Sequence, residues 1–121
     1  MRAINRRLFL GAALALVASP SYAADGLQLV MFDRVGCPWC AKWDAEVGPA
    51  YHKTWEGQQA PIRRLSMHPP YPSDLSFIKG IIYSPTFVLV AKNREVGRII
   101  GYPGEAHFYV KLSQLLEKAG R

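Results

Sequence analysis

The chain has 121 residues but only two cysteines, Cys37 and Cys40. With no second pair, a four-ligand zinc site would need His52, His68 or His107 to converge on them. There is no Met-rich or His-rich tract, which argues against a dedicated copper carrier. No run of basic residues interleaved with aromatics appears, so nucleic acid is not an expected partner. No apolar stretch reaches the roughly 20 residues of an ordinary membrane-spanning helix. Internal repeats, low-complexity segments and a second domain are also missing.

The apolar segment that is present, Leu8 to Ala18, follows Arg2, Arg6 and Arg7 and precedes Ser21-Tyr22-Ala23. A basic start, a short apolar middle and small residues before a cut describe a secretory leader over 1–23, cleaved after Ala23. An uncleaved anchor is the alternative. Arg6-Arg7-Leu8-Phe9-Leu10 is compatible with either the twin-arginine or the general export route. The formal charge of the whole chain is +6, and three of its arginines lie in the leader. The mature domain, 24–121, therefore has an ordinary balance of +3. Export would place its cysteines where disulfides can persist.

The mature domain is organised around Val35-Gly36-Cys37-Pro38-Trp39-Cys40-Ala41-Lys42-Trp43. Leu27 to Asp33 reads as a buried strand. A helix is expected from Pro38 to about Glu56, with Trp43, Val47, Tyr51 and Trp55 recurring every fourth residue, Pro49 kinking it and Gly57 stopping it. Cys37 then falls at the helix N-terminus, where free N–H groups and the dipole favour an anion. A thiolate there should form below the usual thiol value of about 8.5. Cys40, one turn on, is expected to be the more buried. An exposed acidic thiol beside a second thiol is what reversible disulfide exchange requires. A structural disulfide closing so short a loop would remove little chain entropy.

Further along, Ile62 to Met67 reads as a short strand, and Arg63-Arg64 marks it as a sheet edge. His68-Pro69-Pro70-Tyr71-Pro72 is a stiff loop. Ser73 caps a short helix through Lys79, ended by Gly80. Thr86 to Ala91 is a continuous apolar run, expected to be central and buried on both faces. Lys92-Asn93-Arg94 is a turn in which Asn93 suits a left-handed conformation. Glu95 to Gly101 is the return strand. Phe108, Leu112, Leu115, Leu116 and Ala119 form one face of a final helix from Glu105, stopped by Gly120.

The order β-α-β-α-β-β-α together with CPWC and Ser84-Pro85-Thr86 resembles the thioredoxin superfamily. The segment Gly101-Tyr102-Pro103-Gly104 adds a likeness to small periplasmic thioredoxins, those of bacterial sulfur-oxidation systems in particular. The resemblance implies an α/β minimal thioredoxin fold, a four-stranded mixed sheet in the order second, first, third, fourth. It implies a catalytic pair, Cys37 and Cys40, supported by Pro38. It implies a substrate groove shaped by Trp39, Ser84, a cis Pro85 and Gly101. No cofactor or metal is expected beyond the redox-active disulfide. The expected partners are cysteine-bearing periplasmic proteins and a membrane thiol-electron carrier, with the chain acting as a monomer. Thioredoxin has an internal acid six positions before its first cysteine, and here that position is Met31. Either water or Asp33 must then take the proton, or Cys40 activates slowly. A copper chaperone, a redox sensor and a disulfide donor are the other functions weighed for the same pair.

Overall fold

The computed structural model describes residues 26–121. The leader expected over 1–23 and its cleavage point lie outside them. Four strands form one sheet: β1 (Leu27–Asp33), β2 (Ile62–Ser66), β3 (Thr86–Ala91) and β4 (Arg94–Ile100). Their order is β2-β1-β3-β4. β1 and β2 are parallel, whereas β1–β3 and β3–β4 are antiparallel. This is the expected fold class and strand order, and β2 lies at an edge as its arginines suggested.

Strand alternation sends successive side chains to opposite faces and creates two cores. Leu27, Leu29 and Met31 of β1 join Phe87 and Leu89 of β3 on one face. That face is covered by helix α1 (Pro38–Glu46) and by the last helix, α4 (Glu105–Lys118), through Trp43, Phe108, Leu112 and Leu116. Val30, Phe32, Val88 and Val90 point the other way, onto Leu75 and Ile78. Thr86 through Val90 are all buried, as the apolar run required.

Three local expectations are corrected. The long helix is three pieces: α1, then α2 (Gly48–Tyr51), then α3 (Trp55–Gln59). Pro49 sits in the first turn of α2, because an interior proline would clash with the preceding turn of a continuous helix. Thr54 caps α3, its hydroxyl accepting from the Gly57 amide at 2.9 Å and donating to the Tyr51 carbonyl at 2.6 Å. The break turns Trp55 outward, off the apolar face it was expected to continue. Second, the helix expected over 73–79 is a single 3₁₀ turn, Ser73–Leu75. Third, Lys92, not Asn93, takes the left-handed position of the β3–β4 turn, with φ 58°. The remaining strand and helix ends differ from expectation by a residue, which is ordinary fraying.

Candidate active site

β1 delivers the chain to the sheet end at Asp33, and a tight turn through Gly36, at φ +74°, feeds α1. Cys37 is the N-cap of α1 in extended backbone, and Pro38 occupies the first helical turn. Proline fits there because the amide it lacks has no helical partner anyway. Cys37 and Cys40 are joined as a disulfide with Cα atoms 5.2 Å apart. The Cys40 amide donates to the Cys37 sulfur at 3.1 Å. That N–H is one of the orphan donors of the helix start, and it points at the atom that would carry a thiolate's charge.

In this oxidised pair both cysteines are buried, Cys37 at 6 % exposure and Cys40 at 4 %. The exposed first thiol expected from the sequence is thus not present in the disulfide form. Trp39, between them, is turned outward and 54 % exposed. Lys42 Nζ lies 5.3 Å from the centre of its ring. The Ser84–Pro85 peptide is cis, as the resemblance implied, and so is Pro69–Pro70, which the sequence did not suggest. Ser84 is half-buried and Pro85 buried. The β1–β3 register pairs Phe32 with Thr86, which puts Pro85 at the same sheet end as Asp33. The Gly101 amide donates to the Pro85 carbonyl at 2.7 Å, so two of the four groove residues meet directly. Gly101 has φ +84°, a conformation that favours glycine.

Two features beside the pair were not foreseen in their roles. Tyr102, read as part of a connector, is buried in the same core as both cysteines. Its hydroxyl donates to Glu46 at 2.6 Å. Burial first, then that hydrogen bond, hold its phenol well above the usual value. An aromatic held between turn residues was the available signal. The second feature is an ion cluster. Asp33, Asp44 and Arg64 line one shallow hollow of about 340 Å³ together with Arg34, Cys37 and Cys40. Arg64 Nη2 reaches Asp33 at 2.6 Å, Arg64 Nη1 pairs with Asp44, and the guanidinium lies 5.9 Å from the centre of the Trp43 ring. The Asp44 hydrogen bond is the main cause holding that guanidinium above its ordinary value, against the opposing effect of burial. The parallel register pairs Met31 with Arg64, and alternation puts Arg64 and Asp33 on the α1 face. Arg63-Arg64 was read only as edge protection. Met31 itself is fully buried in the core that contains both cysteines. His52 is exposed in the turn after α2, His107 is exposed on α4, and His68 is exposed in the proline-rich loop. Among the described residues no three His, Cys, Asp or Glu side chains gather as a metal site.

Of the comparisons with known proteins, one with a solved structure is informative. The reduced periplasmic thioredoxin SoxS of Paracoccus pantotrophus superposes with a TM-score of 0.74 at 46 % sequence identity. The match covers 77 % of this chain and 98 % of that one. No protein-family model and no curated protein matches the chain.

Proposed function

The chain belongs to the thioredoxin family and is a thiol–disulfide oxidoreductase working through its Cys-x-x-Cys pair, and from that premise we propose that it is an exported, monomeric reductase of protein disulfides in the bacterial periplasm. The observation that best supports Cys37 as the attacking thiol of such an enzyme is the Cys40 N–H aimed at its sulfur at the start of α1. A backbone donor fixed there costs no reorganisation when charge develops on that sulfur.

The reaction starts from the dithiol. The Cys37 thiolate attacks one sulfur of a partner disulfide, and the other partner sulfur leaves and takes a proton. Cys40 then loses its proton and attacks the Cys37 sulfur of the mixed disulfide. The second partner thiol leaves, and the Cys37–Cys40 disulfide remains. The partner has gained two electrons and two protons. A membrane thiol carrier returns the pair to the dithiol. Ser84, Pro85, Gly101 and Trp39 form the groove in which an extended partner segment presents its disulfide. A cysteine-bearing sulfur-carrier protein is the partner we favour, on the resemblance of CPWC, Ser84-Pro85-Thr86 and Gly101-Tyr102-Pro103-Gly104 to the thioredoxins of sulfur-oxidation systems.

The reducing direction rests on Trp39. An indole cannot add positive charge beside Cys37, so backbone N–H groups and the helix terminus do most of the thiolate stabilisation. A less stabilised thiolate gives a more reducing couple. Export rests on the basic, apolar and small-residue sequence of 1–23.

Trapping tests the assignment. Cys40→Ser should accumulate mixed disulfides with its partners, and Cys37→Ser should accumulate none. Equal trapping by both variants would reject the two roles. Acid quenching and alkylation of cells reads the direction. Mostly dithiol protein, turning to disulfide when the membrane carrier is deleted, fits a reductase. Disulfide in both strains fits a disulfide donor, and thiol exchange without turnover fits a sensor. Tight copper binding by the dithiol without turnover fits a chaperone.

A further inference from the structure

Thioredoxin itself has an internal acid six positions before its first cysteine, and among the described residues this chain has no buried carboxylate. Among the described residues no Asp, Glu, His, Lys or Arg is buried. The matching position is an apolar Met31 at 0 % exposure. Any charge that acts on the cysteine pair must therefore come from the surface around it. Four charged residues line the hollow that also opens on Cys37 and Cys40: Asp33, Arg34, Asp44 and Arg64.

We propose that Arg64 is a positioning residue for the exchange reaction, clamping Asp33 and Asp44 together so that the cysteine pair faces a cluster of net charge −1. The clamp draws on three separate elements. Asp33 ends β1, Asp44 stands on α1 and Arg64 comes from the edge strand β2. Arg64 spends one nitrogen on Asp33 and both on Asp44, the second Asp44 contact at 3.4 Å. A guanidinium suits the task because its planar fork can serve two carboxylates at once, which a lysine ammonium does poorly. The Trp43 ring, its centre 5.9 Å from the guanidinium, adds a cation–π contact at the outer limit of its range.

The charge balance has a definite sign. Carboxylates near a thiolate destabilise it, and a guanidinium between them offsets that. With both acids and the arginine the cluster stands at −1. Losing Arg64 makes it −2, losing one acid makes it 0, and losing both acids makes it +1. The other ionisable groups around the pair are Arg34 in the preceding turn, Lys42 over Trp39, and Glu46 at the end of α1 with the Tyr102 phenol. All of these stay constant through the series, so the steps isolate the cluster.

The test measures the rate of Cys37 alkylation by iodoacetamide against pH in a Cys40→Ser background. The midpoint should be highest in R64Q, lower in the parent, lower again in D33N and D44N, and lowest in D33N/D44N. Each step should change the thiolate fraction below the midpoint by about three- to tenfold, the size of one unit charge at the rim of a protein site. R64K should fall between the parent and R64Q. Midpoints that coincide across folded variants, or that move with the opposite sign, would overturn the clamp. If R64Q does not fold, the downward shifts of the two asparagine variants decide the matter alone. A purely structural Arg64 would lower the melting temperature and leave the midpoint in place, which also counts against the proposal. An unreactive Cys37 in the parent would reject the nucleophile assignment itself, and the clamp with it.

Discussion

Replacing Gly57 with alanine should cost the fold about 3 kcal/mol, the upper end for forcing a methyl group into a packed site. A Cβ on Gly57 would lie 2.7 Å from the Tyr51 carbonyl carbon and closer still to its oxygen. That carbonyl cannot swing away, because it accepts from the Thr54 amide at 3.0 Å and the Thr54 hydroxyl at 2.6 Å. The clash therefore opens the junction between α2 and α3 and loosens the Thr54 cap. A useful comparison is Gly97→Ala, whose new methyl would meet only the tip of Leu115, Cδ2, at 2.5 Å. A leucine tip can rotate, so that variant should lose only about 1 kcal/mol. For a domain of this size 1 kcal/mol moves the melting temperature by about 4–8 °C. Thermal unfolding followed by far-ultraviolet dichroism should then place Gly57→Ala roughly 10–25 °C below the parent, with Gly97→Ala between them. A Gly57→Ala protein that melts within about 2 °C of the parent, or above Gly97→Ala, would refute this account of the junction.

Three further outcomes are expected. Trp39→Ala should leave the urea midpoint nearly unchanged, within about 0.5 kcal/mol for so exposed a side chain, while slowing reduction of a protein disulfide; a large stability loss would show the indole to be structural. Burial raises the Tyr51 phenol far above its usual value of about 10, so the folded state keeps a proton that the unfolded chain releases. Stability should be full below about pH 10 and fall as pH rises above it, a loss that urea titrations at pH 9 and 11 should find smaller in Tyr51→Phe. That variant should also lose about 1–2 kcal/mol at pH 7, because the hydroxyl's 2.7 Å bond to the Ala60 carbonyl disappears inside the core.

The fold was legible because its strongest signals are local and periodic. Thr86 to Val90 could only be a strand buried on both faces, and the final helix shows its buried stripe in Phe108, Leu112 and Leu116. The segment 38–59 was misread because periodicity and breaking compete there. Trp43, Val47 and Tyr51 are all buried as a helical stripe would have them. Pro49 and the Thr54 cap interrupt the backbone without disturbing those three, and only Trp55 betrays the break. Gly57 looked like a helix stop since glycine often is one. Its true reason is a close approach of two backbone segments, which no local pattern encodes.

The site divides along the same line. Cys37, Pro38 and Cys40 lie within one turn, so their capping geometry follows from the sequence alone. Pro85 and Gly101 needed the family resemblance, because the bond that joins them spans two strand ends. Arg64 needed the register of β2 against β1, in which Met31 and Arg64 are partners. That pairing has a physical consequence. The backbone donors at the start of α1 set a fixed share of the stabilisation of Cys37, since no side-chain change removes an amide. Among the described residues the remaining share has no buried carboxylate, imidazole or amine to draw on, so it belongs to surface charges that sequence change can alter without disturbing the core. On this division, substitutions at Asp33, Asp44 and Arg64 shift thiol reactivity while the two hydrophobic clusters stay intact. Substitutions in those clusters do the reverse, lowering stability before they move the thiol.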